Sequence, residues 1–125
     1  MGAMSRRKGA AGERELFALL EEHLGIAIKR NLEQTRGGGA DSYDLPGYAI
    51  EVKRVEQLAV DRWWSQAVMQ AGSAIPVLAY RQSRQPWRFV VPLEWVQGFE
   101  MTRTEYVATL GLHEFVYLVR ENNLK

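Results

Sequence analysis

The chain has no cysteine, only two histidines and only four prolines in 125 residues. Without cysteine there is neither a disulfide framework nor a thiolate zinc site, which suits a reducing compartment such as the cytoplasm. His23 falls at the end of a helical pattern, where a helix-dipole role is more ordinary than catalysis. Neither spacing nor a nucleophile elbow supports a Ser/His/Asp arrangement. Long apolar runs are missing too: stretches such as residues 74–80 are too short to span a membrane. Arg6, Arg7 and Lys8 lead into an amphipathic pattern rather than the apolar region of a signal peptide. There is no internal repeat and no low-complexity tract. No sign of charge dominates, with 16 basic and 15 acidic residues.

What is present is the balance of one globular domain: 46% hydrophobic and 25% charged residues. The domain is expected over residues 4–125. Met1-Gly2-Ala3, ahead of a second methionine, reads as an expression remnant outside the fold. The net charge of +1 argues weakly for a nucleic-acid partner, but its distribution says more. Residues 1–91 carry 13 Lys/Arg and 10 Asp/Glu, whereas residues 92–125 carry 3 and 5. If acids of the first part bind a cation, the surface around them is more basic than the total suggests.

Hydrophobic spacing places a helix over residues 8–24, with Leu16, Phe17, Leu20 and Leu24 on one stripe. Glu13 lies on that stripe. A carboxylate there either has a partner or metal, or serves the helix N-terminus. A short strand is expected over residues 26–30, then a polar segment ending in Arg36-Gly37-Gly38-Gly39. No Gly-Lys-Ser/Thr follows, so this is not a phosphate-binding P-loop. Strands over 40–44 and 48–54 form a hairpin. Residues 60–72 make the clearest helix, with Val60, Trp63, Trp64, Ala67, Val68 and Ala71 on one face, so the Trp pair reads as core. Gln66 and Gln70 lie one row beside that face. Strands over 77–81 and 87–91 and a helix over 113–121 follow, with Pro92 breaking the pattern and residues 94–108 unassigned. The order implies an α/β domain with a central mixed β-sheet flanked by α-helices.

The most informative feature lies on the 48–54 strand. Side chains two apart on a strand share a face, so Glu51 and Lys53 point together while Ile50 and Val52 point into a core. Asp41 lies ten residues upstream of Glu51, before a Leu45-Pro46-Gly47 turn. An acid, a turn and then acid-x-Lys is the set that metal-dependent phosphodiester cleavage needs. Two carboxylates hold a divalent cation, and the ammonium stabilises charge or orients water. Asp44 competes with Asp41, since the two face opposite sides of a regular strand and turn chemistry does not fix the register.

Taken in order, Arg7-Lys-Gly-Ala-Ala-Gly-Glu-Arg-Glu-Leu16, Gly39-Ala-Asp41, Ala49-Ile-Glu-Val-Lys53, Gln66, Ile75-Pro-Val-Leu-Ala79 and Trp87-Arg-Phe89 resemble the PD-(D/E)xK nuclease superfamily. More narrowly, they resemble archaeal-type Holliday-junction resolvases and their bacteriophage relatives. The resemblance covers about residues 7–91. It implies a restriction-endonuclease-like core and a phage or prophage endonuclease acting in DNA recombination, in the host cytoplasm. It implies a site of Glu13, Asp41, Glu51, Lys53 and Gln66, with the first three as ligands of Mg²⁺ (Mn²⁺ substituting) and the Val52 carbonyl assisting. Asp41 is preferred to Asp44 because it directly follows the glycine block. The implied partner is branched DNA, a four-way junction cut by a homodimer. Arg6, Arg7, Lys8, Arg36, Arg54 and Arg62 are the expected phosphate contacts. The alternatives are a related nuclease for flaps, nicks or other recombination intermediates, and a catalytically silent DNA-binding protein.

Overall fold

The computed structural model describes residues 2–31 and 39–123, with side chains described for residues 10–31 and 39–122. The elements are α1 (Gly2–Leu24), β1 (Tyr48–Arg54), α2 (Val60–Ala71), β2 (Ile75–Arg81), β3 (Arg88–Pro92), α3 (Leu93–Val96), β4 (Val107–Leu110) and α4 (Leu112–Asn123). They form the expected mixed sheet flanked by helices. Its strand order is β1-β2-β3-β4, with β1 and β2 parallel and the other neighbours antiparallel.

Alternation along β1 sends Ile50 and Val52 to one face. There they join Leu16, Phe17 and Leu20 of α1, Val77 and Ala79 of β2, Phe89 and Val91 of β3, and Phe115 and Val119 of α4 in the main core. Phe89 and Phe115 stack with ring centroids 4.5 Å apart. The other face is covered by α2, the crossover that a parallel pair requires. Trp63 packs there on Leu78 and Val90, and Trp64 donates its indole N–H to the Thr104 carbonyl at 2.8 Å. Both tryptophans belong to the packing, as their spacing implies. His23 meets His113 edge-on where α1 passes α4, remote from the Glu51 face.

Several expected elements differ. α1 runs over Gly2–Leu24, starting ahead of the helix expected over residues 8–24. Residues 26–30 are not a strand. Their neighbours are mainly side-chain acceptors: Ile28 N–H donates to Glu21 Oε1 and Lys29 N–H to Asp44 Oδ2, each at 2.8 Å. Residues 40–44 make one bridge, Ser42 with Ile50, instead of a strand. Pro92 ends β3 rather than lying beyond it, and the unassigned stretch supplies α3 and β4. Among the described residues no helix is long and apolar enough to cross a membrane.

Candidate active site

β1 is an edge strand, and the site is built on its open side. Ser42 exchanges both backbone hydrogen bonds with Ile50, at 3.2 and 2.9 Å. Two residues further along, the Val52 N–H would have no strand partner. It donates instead to Asp41 Oδ2 at 2.6 Å. A side-chain carboxylate thus continues the ladder for one step, and this brings Asp41 beside Glu51. Asp44 is exposed and accepts from Lys29, so Asp41, not Asp44, is the acid that joins Glu51.

Glu13 reaches the same place from α1. Asp41 lies within hydrogen-bond reach of both Glu13 and Glu51. All three are buried, with relative exposures of 7% for Glu13, 4% for Asp41 and 3% for Glu51. Burial, reinforced by Asp41, pushes the Glu13 carboxyl up to about 7, against the opposing pull of Arg30. Burial and Asp41 likewise push Glu51 up to about 8, against the opposing pull of Lys53. Desolvation and like charge both disfavour the ionised form, so the site holds more negative charge than it can easily keep. Lys53 lies on the Glu51 face of β1, half-buried.

The fourth wall is α2. With its nitrogen assigned to the side that faces these two acceptors, the Gln70 carboxamide would donate to Glu51 Oε2 at 2.6 Å and to the Gly39 carbonyl at 3.2 Å. Gln66, expected near the site, is exposed, and Gln70 one turn later makes the contact. Both lie on the row beside the apolar stripe, so the sequence marked the row without the turn. Arg30, missed entirely, forms an ion pair with Glu13 Oε2. It sits in a segment whose irregular backbone gives no periodic signal. A groove of about 420 Å³ opens between α1 and this segment, lined by Arg14, Phe17, Glu21, Lys29 and Arg30 among others.

Of the expected phosphate contacts, Arg62 is exposed on α2. Arg54 is not on the Glu51 face: it points under α1, where a Cβ on Gly12 would meet its Cβ at 2.8 Å, and its guanidinium lies 3.9 Å from Glu15. Arg6, Arg7 and Lys8 belong to α1, with side chains outside the described set, and Arg36 lies outside the described residues.

The donor set is all oxygen and anionic, the chemistry a hard divalent cation takes. Among the described residues no three carboxylates are gathered as a finished cation cage. Glu13 leans toward Arg30 and Glu51 toward Gln70. Even so, the raised carboxyls fit a cation, whose positive charge would offset their mutual repulsion.

The sequence matches the family model described as "Phage putative PDDEXK endonuclease" over residues 4–117. No curated protein matches. Among solved structures, the chain is similar to Hjc of Archaeoglobus fulgidus, a Holliday junction resolvase from an archaeal hyperthermophile. The likeness has 26% identity and a TM-score of 0.50, covering 86% of this chain and 87% of that one.

Proposed function

The chain belongs to the phage PDDEXK endonuclease family, and on that premise we propose that it is a divalent-cation-dependent, structure-selective DNA endonuclease that resolves four-way junctions. The observation that carries the reading is the meeting of Asp41, Glu51 and Lys53 at the open edge of β1. The likeness to an archaeal Holliday junction resolvase favours branched DNA as substrate. As a phage-encoded enzyme it would act in the host cytoplasm.

Asp41 and Glu51 would hold the cation, with Glu13 joining directly or through water. Mg²⁺ is the expected ion, and it would supply Lewis-acid stabilisation of the phosphate and activation of water. The protein's own groups do the rest. Glu51 must be deprotonated, which the Lys53 ammonium and the Gln70 amide both favour. Lys53 stabilises charge developing at phosphorus as water attacks in line. The new P–O bond forms as the bond to the 3′-oxygen breaks; the attacking water gives up a proton to solvent and the departing 3′-oxygen takes one from solvent, leaving a 5′-phosphate and a 3′-hydroxyl. Gln66, one turn before Gln70 on α2, is exposed.

Arg14, Lys29 and Arg30 line the groove beside Glu13 and are suited to backbone phosphates, with Arg62 on the α2 side. Arg6, Arg7, Lys8 and Arg36 remain proposed contacts. Resolving a junction takes two symmetric cuts, and one chain has one Glu-x-Lys site. A two-fold symmetric homodimer supplies the second.

The test is cleavage of a panel of branched and linear DNAs with Mg²⁺ or with EDTA, alongside sizing by light scattering. A dimer that nicks junctions in opposing strands only with the cation supports the proposal. A monomer that cuts junction and duplex equally would favour a nuclease for another DNA substrate. Binding without cleavage would favour the silent DNA-binding alternative.

A further inference from the structure

Tyr43 is 44% exposed. Its hydroxyl, by contrast, is fully engaged. It accepts the Ala40 N–H at 2.9 Å and donates to the Gln70 carbonyl at 2.9 Å. Ala40 immediately precedes Asp41. Gln70 is the α2 residue whose carboxamide reaches Glu51 and the Gly39 carbonyl. The contact is close, since a Cβ on Gly39 would meet the Tyr43 oxygen at 3.0 Å.

One hydroxyl therefore joins two walls of the site. On one side is the loop that carries Asp41, and on the other is the last turn of α2, which holds Glu51 by its glutamine. Nothing in the alternation or composition of the sequence singles out Tyr43, because it sits in an irregular segment next to a more conspicuous aspartate.

We propose that Tyr43 is a positioning residue, which fixes the Asp41 loop against α2 and so holds Asp41 and Glu51 at the separation that a divalent cation requires. The inference rests on the nuclease reading above. Tyr43 itself touches neither cation nor phosphate. It acts through Ala40 and through Gln70. Gln70 reaches one Glu51 oxygen, Oε2, and so restrains the carboxylate. Partners that orient ligating carboxylates in this way typically govern metal affinity by roughly 10- to 100-fold.

The test is calorimetric titration of Mn²⁺ into the DNA-free protein, with single-turnover junction cleavage and junction affinity in EDTA measured in parallel. Tyr43→Phe removes only the hydroxyl. It should weaken Mn²⁺ binding and slow cleavage by roughly 10- to 100-fold, while junction affinity in EDTA stays at the wild-type value. Gln70→Leu should reproduce both losses, and it serves as the second variant if Tyr43→Phe folds poorly. Tyr117→Phe, at another exposed tyrosine far along the chain, should change nothing. Wild-type Mn²⁺ affinity in both site variants would overturn the positioning role and leave the nuclease reading standing. Wild-type protein that binds no Mn²⁺ and cuts no DNA would overturn that reading itself, and this inference with it.

Discussion

The Val52 N–H donates to Asp41 Oδ2 at 2.6 Å across the open edge of β1. A backbone group that an edge strand would leave to water is given to a carboxylate, and the same carboxylate abuts Glu13 and Glu51. The strand that carries Glu51 and Lys53 therefore also fixes the acid that faces them.

Asp41→Asn should keep the fold, because the amide oxygen can still accept from Val52. It should abolish cation binding and cleavage. Asp44→Asn, at an exposed position, should change stability by no more than about 0.5 kcal/mol and leave cleavage near wild type. Denaturant melts and junction cleavage of the two variants check this. The opposite ranking would assign the site to Asp44.

The raised carboxyls have a pH signature. Their pKa values in the folded protein, about 7 for Glu13 and about 8 for Glu51, lie above the ordinary 4.5. Between those limits the folded state holds more protons than the unfolded state, so stability falls as pH rises. The cation-free protein should thus lose stability from about pH 4.5 to about pH 8, and Glu51→Gln should flatten that slope. If Glu13 and Glu51 hold the cation, Mg²⁺ would bind their ionised forms, so the melting temperature it adds should grow from pH 6 to pH 9. Thermal melts with and without Mg²⁺ test both signs. An increment independent of pH would exclude Glu13 and Glu51 as the ligands.

Lys53→Ala should slow cleavage far more than it weakens cation binding. Preorganised charge of this kind is worth about 2.7–4 kcal/mol, roughly 100- to 1,000-fold in rate. Single-turnover rates at saturating Mg²⁺ provide the comparison. An unchanged rate would remove Lys53 from the chemistry.

Gly12→Ala addresses the packing that holds Glu13 in place. The added Cβ would meet Arg54 Cβ at 2.8 Å, so α1 must shift away from β1. A loss of about 1–3 kcal/mol is expected from overpacking, with reduced cleavage because Glu13 moves with the helix. Chemical denaturation measures it, and wild-type stability would mean that α1 can shift freely.

β1 and α2 were legible in the sequence because each repeats a pattern that burial enforces. Glu51 and Lys53 followed from alternation alone. The 26–30 segment looked like a strand from its apolar residues, yet Glu21 and Asp44 side chains take the hydrogen bonds that a neighbouring strand would have taken. Arg30 was hidden for the same reason, since irregular backbone gives no period from which to place a side chain. Choosing Gln70 over Gln66 depends on where α2 crosses β1, a tertiary quantity that helical spacing does not contain. β4 escaped because its exposure alternates on a short edge strand with no strongly apolar run. Asp41 over Asp44 came from the resemblance, and the Val52 hydrogen bond supplies the physical reason.

The central claim is that Glu51 is a cation ligand of a junction-cutting site. It is tested most directly by the cleavage rate of a labelled four-way junction, comparing wild type with Glu51→Gln at saturating Mg²⁺. The account predicts that wild type cuts the junction in opposing strands, whereas Glu51→Gln binds it with undiminished affinity and leaves it intact. Cleavage by Glu51→Gln at the wild-type rate would contradict the account.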